Sequence, residues 1–245
     1  NGFQRLELNI WTQAETRWIN IEHWNACNKP FDVKSLHGRE CYGGLDLSDT
    51  QDITALSLVF PPQKSGDDYV ALFWFWCPED TISERAKRDK ELYGLWVRQN
   101  HLIATPGERV DYSFIEAKIE DLCQTYNVRE IGFDRWNATS LVTRVSDKKI
   151  TKLIQIEQTC SALNAPTKEL DRMYISHNLN HLGNPVICWM ASNVVIVSDS
   201  NANIKPDKKR STEKIDGITA LVMAVDRATR AQGTSVYEDR GILTL

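Results

Sequence analysis

The chain lacks any apolar run of the roughly 18 to 20 residues that a bilayer-crossing helix needs. Its first residues have neither the charged start nor the apolar centre of a signal peptide, so a soluble, unexported protein is expected. It lacks a Cys-x-x-Cys pair. The six cysteines, at 27, 41, 77, 123, 160 and 188, are far apart and several lie in apolar runs, which points to reduced core thiols in a cytosol and away from zinc or redox chemistry. A Gly-x-x-x-x-Gly-Lys-Ser/Thr phosphate loop is also missing, and the start at Asn1 without Met suggests a piece of something longer, with any nucleotide-driven motor upstream. Finally, there is no excess of positive charge. A net charge of −4 argues against phosphate binding over the whole surface and directs attention to local clusters of Lys and Arg.

What is present is 245 residues, 42% of them hydrophobic, enough for a full core in one compact domain. Residues 1–38 mix polar residues with Trp11, Trp18 and Trp24 without a clear period and read as a linker that packs on the domain. Residues 39–232 carry the periodic elements, and 233–245 read as a flexible tail. Strands are expected at Gly44–Leu47, Ile53–Phe60 and Tyr69–Cys77, joined by short turns into an antiparallel meander. A helix from Thr81 is expected to stop near Gly94, with a short strand at His101–Ala104. Apolar residues at 115, 119, 122 and 126 mark a helix from Asp111 that docks onto a sheet. Strand Glu130–Asp134, helix Asn137–Ser146 and strand Lys152–Ile156 then alternate, which implies parallel strands with helical crossovers. Further helices are entered at Ala165-Pro166 and Asn184-Pro185, and a strand follows at Val194–Val197. Ser211 can cap a last helix whose residues 215, 218, 222 and 225 face the core.

Three acids stand in unusual settings. Asp46 lies near the end of the first strand among apolar neighbours, where an ionised carboxylate is costly unless paired or bound to a metal. Asp134 ends a later strand, and Asp216 lies in the first turn of the last helix, where the helix dipole favours an anion. Each alone is an ordinary turn former or helix cap; together they point to divalent metal. Neighbouring strands are about 4.8 Å apart, close enough for acids at matching ends to share ions. Two ions about 3.5 to 4 Å apart can activate a water and stabilise the leaving oxygen of a phosphodiester. Hard oxygen ligands select Mg²⁺ or Mn²⁺ over zinc.

Asp49 and Asp52 are candidate auxiliary ligands, with turn formation as the other reading of Asp49. Arg135 and Asn137 either contact phosphate or cap the next helix. Lys205, Lys208, Lys209, Arg210 and Lys214 form the densest basic cluster, either a solvated loop or a DNA-binding segment. His177 and His181 have the spacing of a helical metal pair, but Asn178, Asn180 and Gly183 place them in a turn.

These residues resemble the nuclease domain of the large terminase subunit of tailed bacteriophages and prophages, of the HK97-like type. The resemblance runs from Leu8-Asn9-x-Trp11-Thr12 to Ala228. Its most specific parts are Gly44-Leu45-Asp46-Leu47-Ser48 with Asp52-x-Thr54-Ala55, Gly132-Phe133-Asp134-Arg135-Trp136-Asn137, and Asn184-Pro185-x-x-x-Trp189-Met190-Ala191-Ser192-Asn193. Asn203-Ile204-Lys205-Pro206-Asp207-Lys208 leading to Lys214-Ile215-Asp216-Gly217-Ile218-x-Ala220 completes the set. The resemblance implies an α/β ribonuclease-H-like fold, a mixed central sheet of three antiparallel strands followed by parallel strands, flanked by helices, with the first and fourth strands adjacent. It implies an endonuclease that cuts concatemeric viral DNA during genome packaging in the host bacterial cytoplasm, using two Mg²⁺ or Mn²⁺ ions on Asp46, Asp134 and Asp216. Implied partners are double-stranded DNA, the small terminase subunit and the portal protein, and in some relatives an HNH nuclease. The family's N-terminal packaging ATPase is not in this sequence.

Two other classes compete. An actin-like phosphotransferase is suggested by Gly44-x-Asp46-Leu47-Ser48 ahead of a meander, but Arg135-Trp136 follows Asp134 where that fold needs a second Gly-rich loop. A catalytically silent DNA clamp or portal-docking module is the other, and the intact acids count against it.

Overall fold

The structure is a computed structural model that describes residues 17–48, 52–88, 92–134 and 139–238. Its centre is a sheet whose strands alternate their side chains between two apolar layers. Strands β1 (Glu40–Asp46), β2 (Thr54–Phe60) and β3 (Tyr69–Pro78) form the expected antiparallel meander. The short β4 (Ile103–Thr105) pairs parallel with β3, and β5 (Asn127–Phe133) and β6 (Lys152–Gln155) add parallel to β1, giving the order β4-β3-β2-β1-β5-β6. The two-residue β7 (Leu179–Asn180) pairs with the start of β3. The predicted adjacency of the two acid-bearing strands is therefore present: β1 lies beside β5.

Helices cover both faces. On one face, Tyr42, Ala55, Val59, Phe73 and Phe75 share a core with residues of α6 (Cys160–Ile175), α7 (Pro185–Asn193) and α8 (Asp216–Glu238). On the other, Leu45, Leu56, Leu58 and Trp76 pack with Ile115, Ile119, Leu141 and Val145 from α4 (Tyr112–Thr125) and α5 (Thr139–Asp147). The stripe read in α4 is buried as expected, with Asp111 accepting from Ser113 N at its start. The isolated hairpin of β8 (Ile196–Ser198) and β9 (Ile204–Pro206) leads into α8.

The N-terminal segment joins the first core. Trp24, in α1 (Ile21–Ala26), is fully buried, stacked on His181 at 4.6 Å and edge-on to Tyr174. The six cysteines are free thiols, three of them buried.

Several expected boundaries moved, each for a packing reason. Gly94 does not stop a helix: it lies inside α3 (Leu92–Arg98), which follows α2 (Glu79–Arg88). Tyr93 and Trp96 beside it are buried against Trp189, and that burial outweighs glycine's helix cost of about 1 kcal/mol. Helix α6 begins at Cys160, capped by Thr159, so Pro166 sits within the helix, buried on the same side as Leu163 and Leu170. Ser211 does not cap the last helix, which begins at Asp216; its hydroxyl donates to the Asp207 carbonyl and accepts from Val195 N. Helix α6 ends at Ile175, so His177, in the left-handed region at φ 56°, and His181 lie beyond it as the turn reading expected.

Candidate metal centre

Helix α8 crosses the sheet over β1, and Gly44 is what lets it come so close. A Cβ on Gly44 would lie 2.6 Å from Ala224 N and closer still to the Ala220 carbonyl oxygen. Two residues further along the same face of the strand is Asp46. The close crossing sets the first turn of α8, with Asp216, beside the end of β1. Asp46 and Asp216 are 3% and 1% exposed. On the neighbouring strand Leu45 pairs with Phe133, so Asp134 follows one step beyond, at the same sheet end and half-buried.

The two buried carboxylates share one cation. Lys208, just past β9, places Nζ 2.7 Å from Asp46 Oδ2 and 2.7 Å from Asp216 Oδ1. The contact to Asp46 Oδ2 is an ion pair by distance without hydrogen-bond alignment, and among the described residues Oδ2 of Asp46 and Oδ2 of Asp216 have no hydrogen-bonding partner. Burial pushes the Asp46 carboxyl up to about 7; the Lys208 ammonium pulls it down, and the charges of Asp216 and Asp134 push it up. Burial works against the charge on Lys208, yet the two carboxylates outweigh it and hold the ammonium above the usual lysine range. Buried carboxylate oxygens without donors form a site that attracts cations, and hard oxygen ligands suit a divalent ion such as Mg²⁺ or Mn²⁺. Asp134 feeds the negative field at this sheet end, although among the described residues no three His, Cys, Asp or Glu side chains converge closely enough to hold an ion.

The remaining candidates are distributed as follows. Asp52 pairs with Lys214, and its backbone carbonyl accepts from Ser48 Oγ. Ser48 is itself fixed by Thr54 Oγ1 and by the Tyr112 hydroxyl donating to its carbonyl. Lys205 Nζ donates to the Gln158 carbonyl at 2.6 Å, Arg210 lies 3.5 Å from Asp207, and Lys209 is exposed. Of the five basic residues, Lys205, Lys208, Arg210 and Lys214 are thus engaged by oxygens of the protein. Asp49, Arg135 and Asn137 lie outside the described residues.

Sequence reading missed Lys208 as the counter-ion of the acids. Its only signal was a lysine following a strand and preceding the acid-bearing helix. A second feature also went unseen: at the opposite end of β1 and β5 a cavity of about 520 Å³ is lined by Tyr42, Arg129, Glu130, Lys152, Arg227 and Arg230 among others. Glu130 there is held below the usual carboxylate range: burial opposes the shift, but hydrogen bonds from Lys152 and Arg227 prevail.

The family profile for the terminase large subunit, endonuclease domain, matches residues 1–232. The chain belongs to this family. It is 31% identical over 231 residues to the large terminase subunit of Enterobacteria phage HK97, a match covering 93% of this chain and 44% of that protein. Protein YmfN of Escherichia coli (strain K12) is 30% identical over 237 residues, covering 93% and 52%. The chain therefore spans about half the length of these relatives. The crystal structure of the HK97 bacteriophage large terminase superposes with a TM-score of 0.77 at 30% identity, over 92% of this chain and 46% of that one. The large terminase nuclease of thermophilic phage G20c, whose structure is also known with bound magnesium, shares the fold at a TM-score of 0.50 and 12% identity. It covers 78% of this chain and 85% of that one. The terminase nuclease domain is ribonuclease-H-like, and so is the sheet of this chain.

Proposed function

We propose that the chain is a metal-dependent DNA endonuclease that cuts concatemeric viral DNA during genome packaging. The observation that carries this reading is the meeting of Asp46 and Asp216, both buried and both short of hydrogen-bond donors, at the sheet end where Asp134 also lies.

Asp46 and Asp216 would hold the first divalent ion through their Oδ atoms, with Asp134 contributing to a second. Divalent ions at such a site supply the positive charge that acidifies a water and stabilises the leaving oxygen of a phosphodiester. The protein's own part is to fix the geometry. Gly44 sets the depth of α8, the β1–β5 register aligns the two strand-borne acids, and the core behind Asp46 keeps bulk water from that side. Lys209 and Arg210, both exposed and next in sequence to Lys208, would meet DNA phosphates. Residues 1–38 would lead in from a motor domain. The small terminase subunit, the portal and, as in some relatives, an HNH nuclease would be partners in the host bacterial cytoplasm.

Supercoiled plasmid incubated with the chain and Mn²⁺ or Mg²⁺ is expected to be nicked or linearised, with EDTA or Asp46→Asn preventing it. Cleavage retained by Asp46→Asn would overturn the assignment. DNA binding without cleavage under any divalent ion would favour the clamp reading.

A further inference from the structure

Lys208 does something that neither a structural lysine nor a surface DNA contact explains. Its ammonium is the shared counter-ion of two buried carboxylates, yet the side chain as a whole keeps 38% of its exposure. The stem therefore approaches from solvent, and the head can leave by rotating the stem without repacking the core. Its contact to Asp46 Oδ2 is an ion pair by distance without hydrogen-bond alignment. A single positive charge also leaves an ionised Asp46–Asp216 pair with one negative charge unbalanced, which a divalent ion would neutralise. The loop carrying Lys208 is pinned independently, by Asp207 N on the Val195 carbonyl, Lys205 on Gln158 and Lys214 on Asp52, so losing the Lys208 contact need not release the loop.

We propose that Lys208 is an exchangeable counter-ion: it holds Asp46 and Asp216 together before metal arrives, is displaced by a divalent ion, and then pairs with a phosphate of bound DNA. This rests on the nuclease reading above and adds to it a coupling between the two ligands. Metal binding frees an ammonium for DNA, and by linkage DNA must strengthen metal binding by the same factor. Lysine suits the role better than arginine because its compact, rotatable ammonium can pair with carboxylates in one position and a phosphate in another.

Two measurements test this. In the wild-type chain, lysine-selective acylation read by mass spectrometry should modify Lys208 slowly without metal and several-fold faster with Mn²⁺, while Lys205 stays constant. Mn²⁺ binding followed by electron paramagnetic resonance should strengthen about tenfold when a short DNA duplex is added. Lys208→Gln should bind Mn²⁺ about tenfold more tightly than wild type without DNA and show little further gain with it. Lys208 still protected with Mn²⁺ bound, or a Lys208→Gln variant with wild-type affinity and wild-type DNA dependence, would overturn the exchange. Asp46→Asn separates the two levels. If it loses Mn²⁺ while Lys208→Gln behaves as wild type, the exchange fails and the metal centre stands; if it binds Mn²⁺ as wild type does, the metal centre fails as well.

Discussion

Asp46 at the end of β1 and Asp216 at the start of α8 lie on either side of one ammonium group, each 2.7 Å from Lys208 Nζ. This arrangement makes the acids costly to the fold and useful to chemistry at the same time. Asp46→Asn should therefore leave the metal-free chain folded, with a melting temperature no lower than wild type, because the amide needs no counter-ion. Cleavage by the same variant should fall about a hundredfold or more. Asp134→Asn should lose cleavage likewise. Thermal melting and plasmid nicking on the same preparations check both halves.

The approach of α8 to the sheet is expected to tolerate no side chain at position 44. Gly44→Ala drives a methyl into backbone atoms of Ala220 and Ala224, which cannot swing aside, so a loss of about 3 kcal/mol or complete failure to fold is expected. Gly94→Ala is the control. Its Cβ would meet only Arg98 Nη1 at 3.5 Å, and the helix should gain up to about 1 kcal/mol. Urea denaturation of the two variants distinguishes a glycine required by packing from one that is merely present.

His181 should make the fold sensitive to mild acid. It is buried on Trp24, donates from Nε2 to the Trp24 carbonyl at 2.7 Å and accepts at Nδ1 from Gly183 N, so both ring nitrogens are used by the neutral ring. Burial holds its pKa below the usual histidine value. Below about pH 6.5 the unfolded chain takes up a proton that the folded one resists. The stability it contributes is complete above that pH and is lost as the pH falls from there toward the folded value. The melting temperature of wild type should drop more steeply between about pH 7 and 5.5 than that of His181→Gln; parallel slopes would contradict this.

The N-terminal segment should matter to the core. Trp24 is completely buried between His181 and Tyr174, and Trp24→Ala should cost about 3 kcal/mol or more. A chemical denaturation midpoint within error of wild type would show that this segment is only draped over the domain.

Much of this was legible in the residues. Alternating apolar strands around Gly44, Leu56 and Phe75 gave the meander, and the stripe at Ile115, Ile119 and Leu122 gave a docked helix, because local periodicity and burial coincide there. Asp46 and Asp216 stood out because acids were set in apolar surroundings. Boundaries were less legible where distant packing overrules local preference. Gly94 is helical because Tyr93 and Trp96 reach Trp189, and Pro166 is helical because its face is buried. Direction was the least legible property of all. A run of lysines looks the same in sequence whether it faces DNA or turns, as Lys205, Lys208 and Lys214 do, onto a carbonyl, a carboxylate pair and Asp52.

The central claim is that Asp46 and Asp216, with Asp134 beside them, form the metal centre, and anomalous diffraction from crystals soaked in Mn²⁺ tests it most directly. The account predicts a manganese peak between Asp46 and Asp216 in the place of the Lys208 ammonium, with Asp134 drawn toward it or toward a second peak. Manganese bound only elsewhere, with Lys208 still between the two carboxylates at saturating metal, would contradict it.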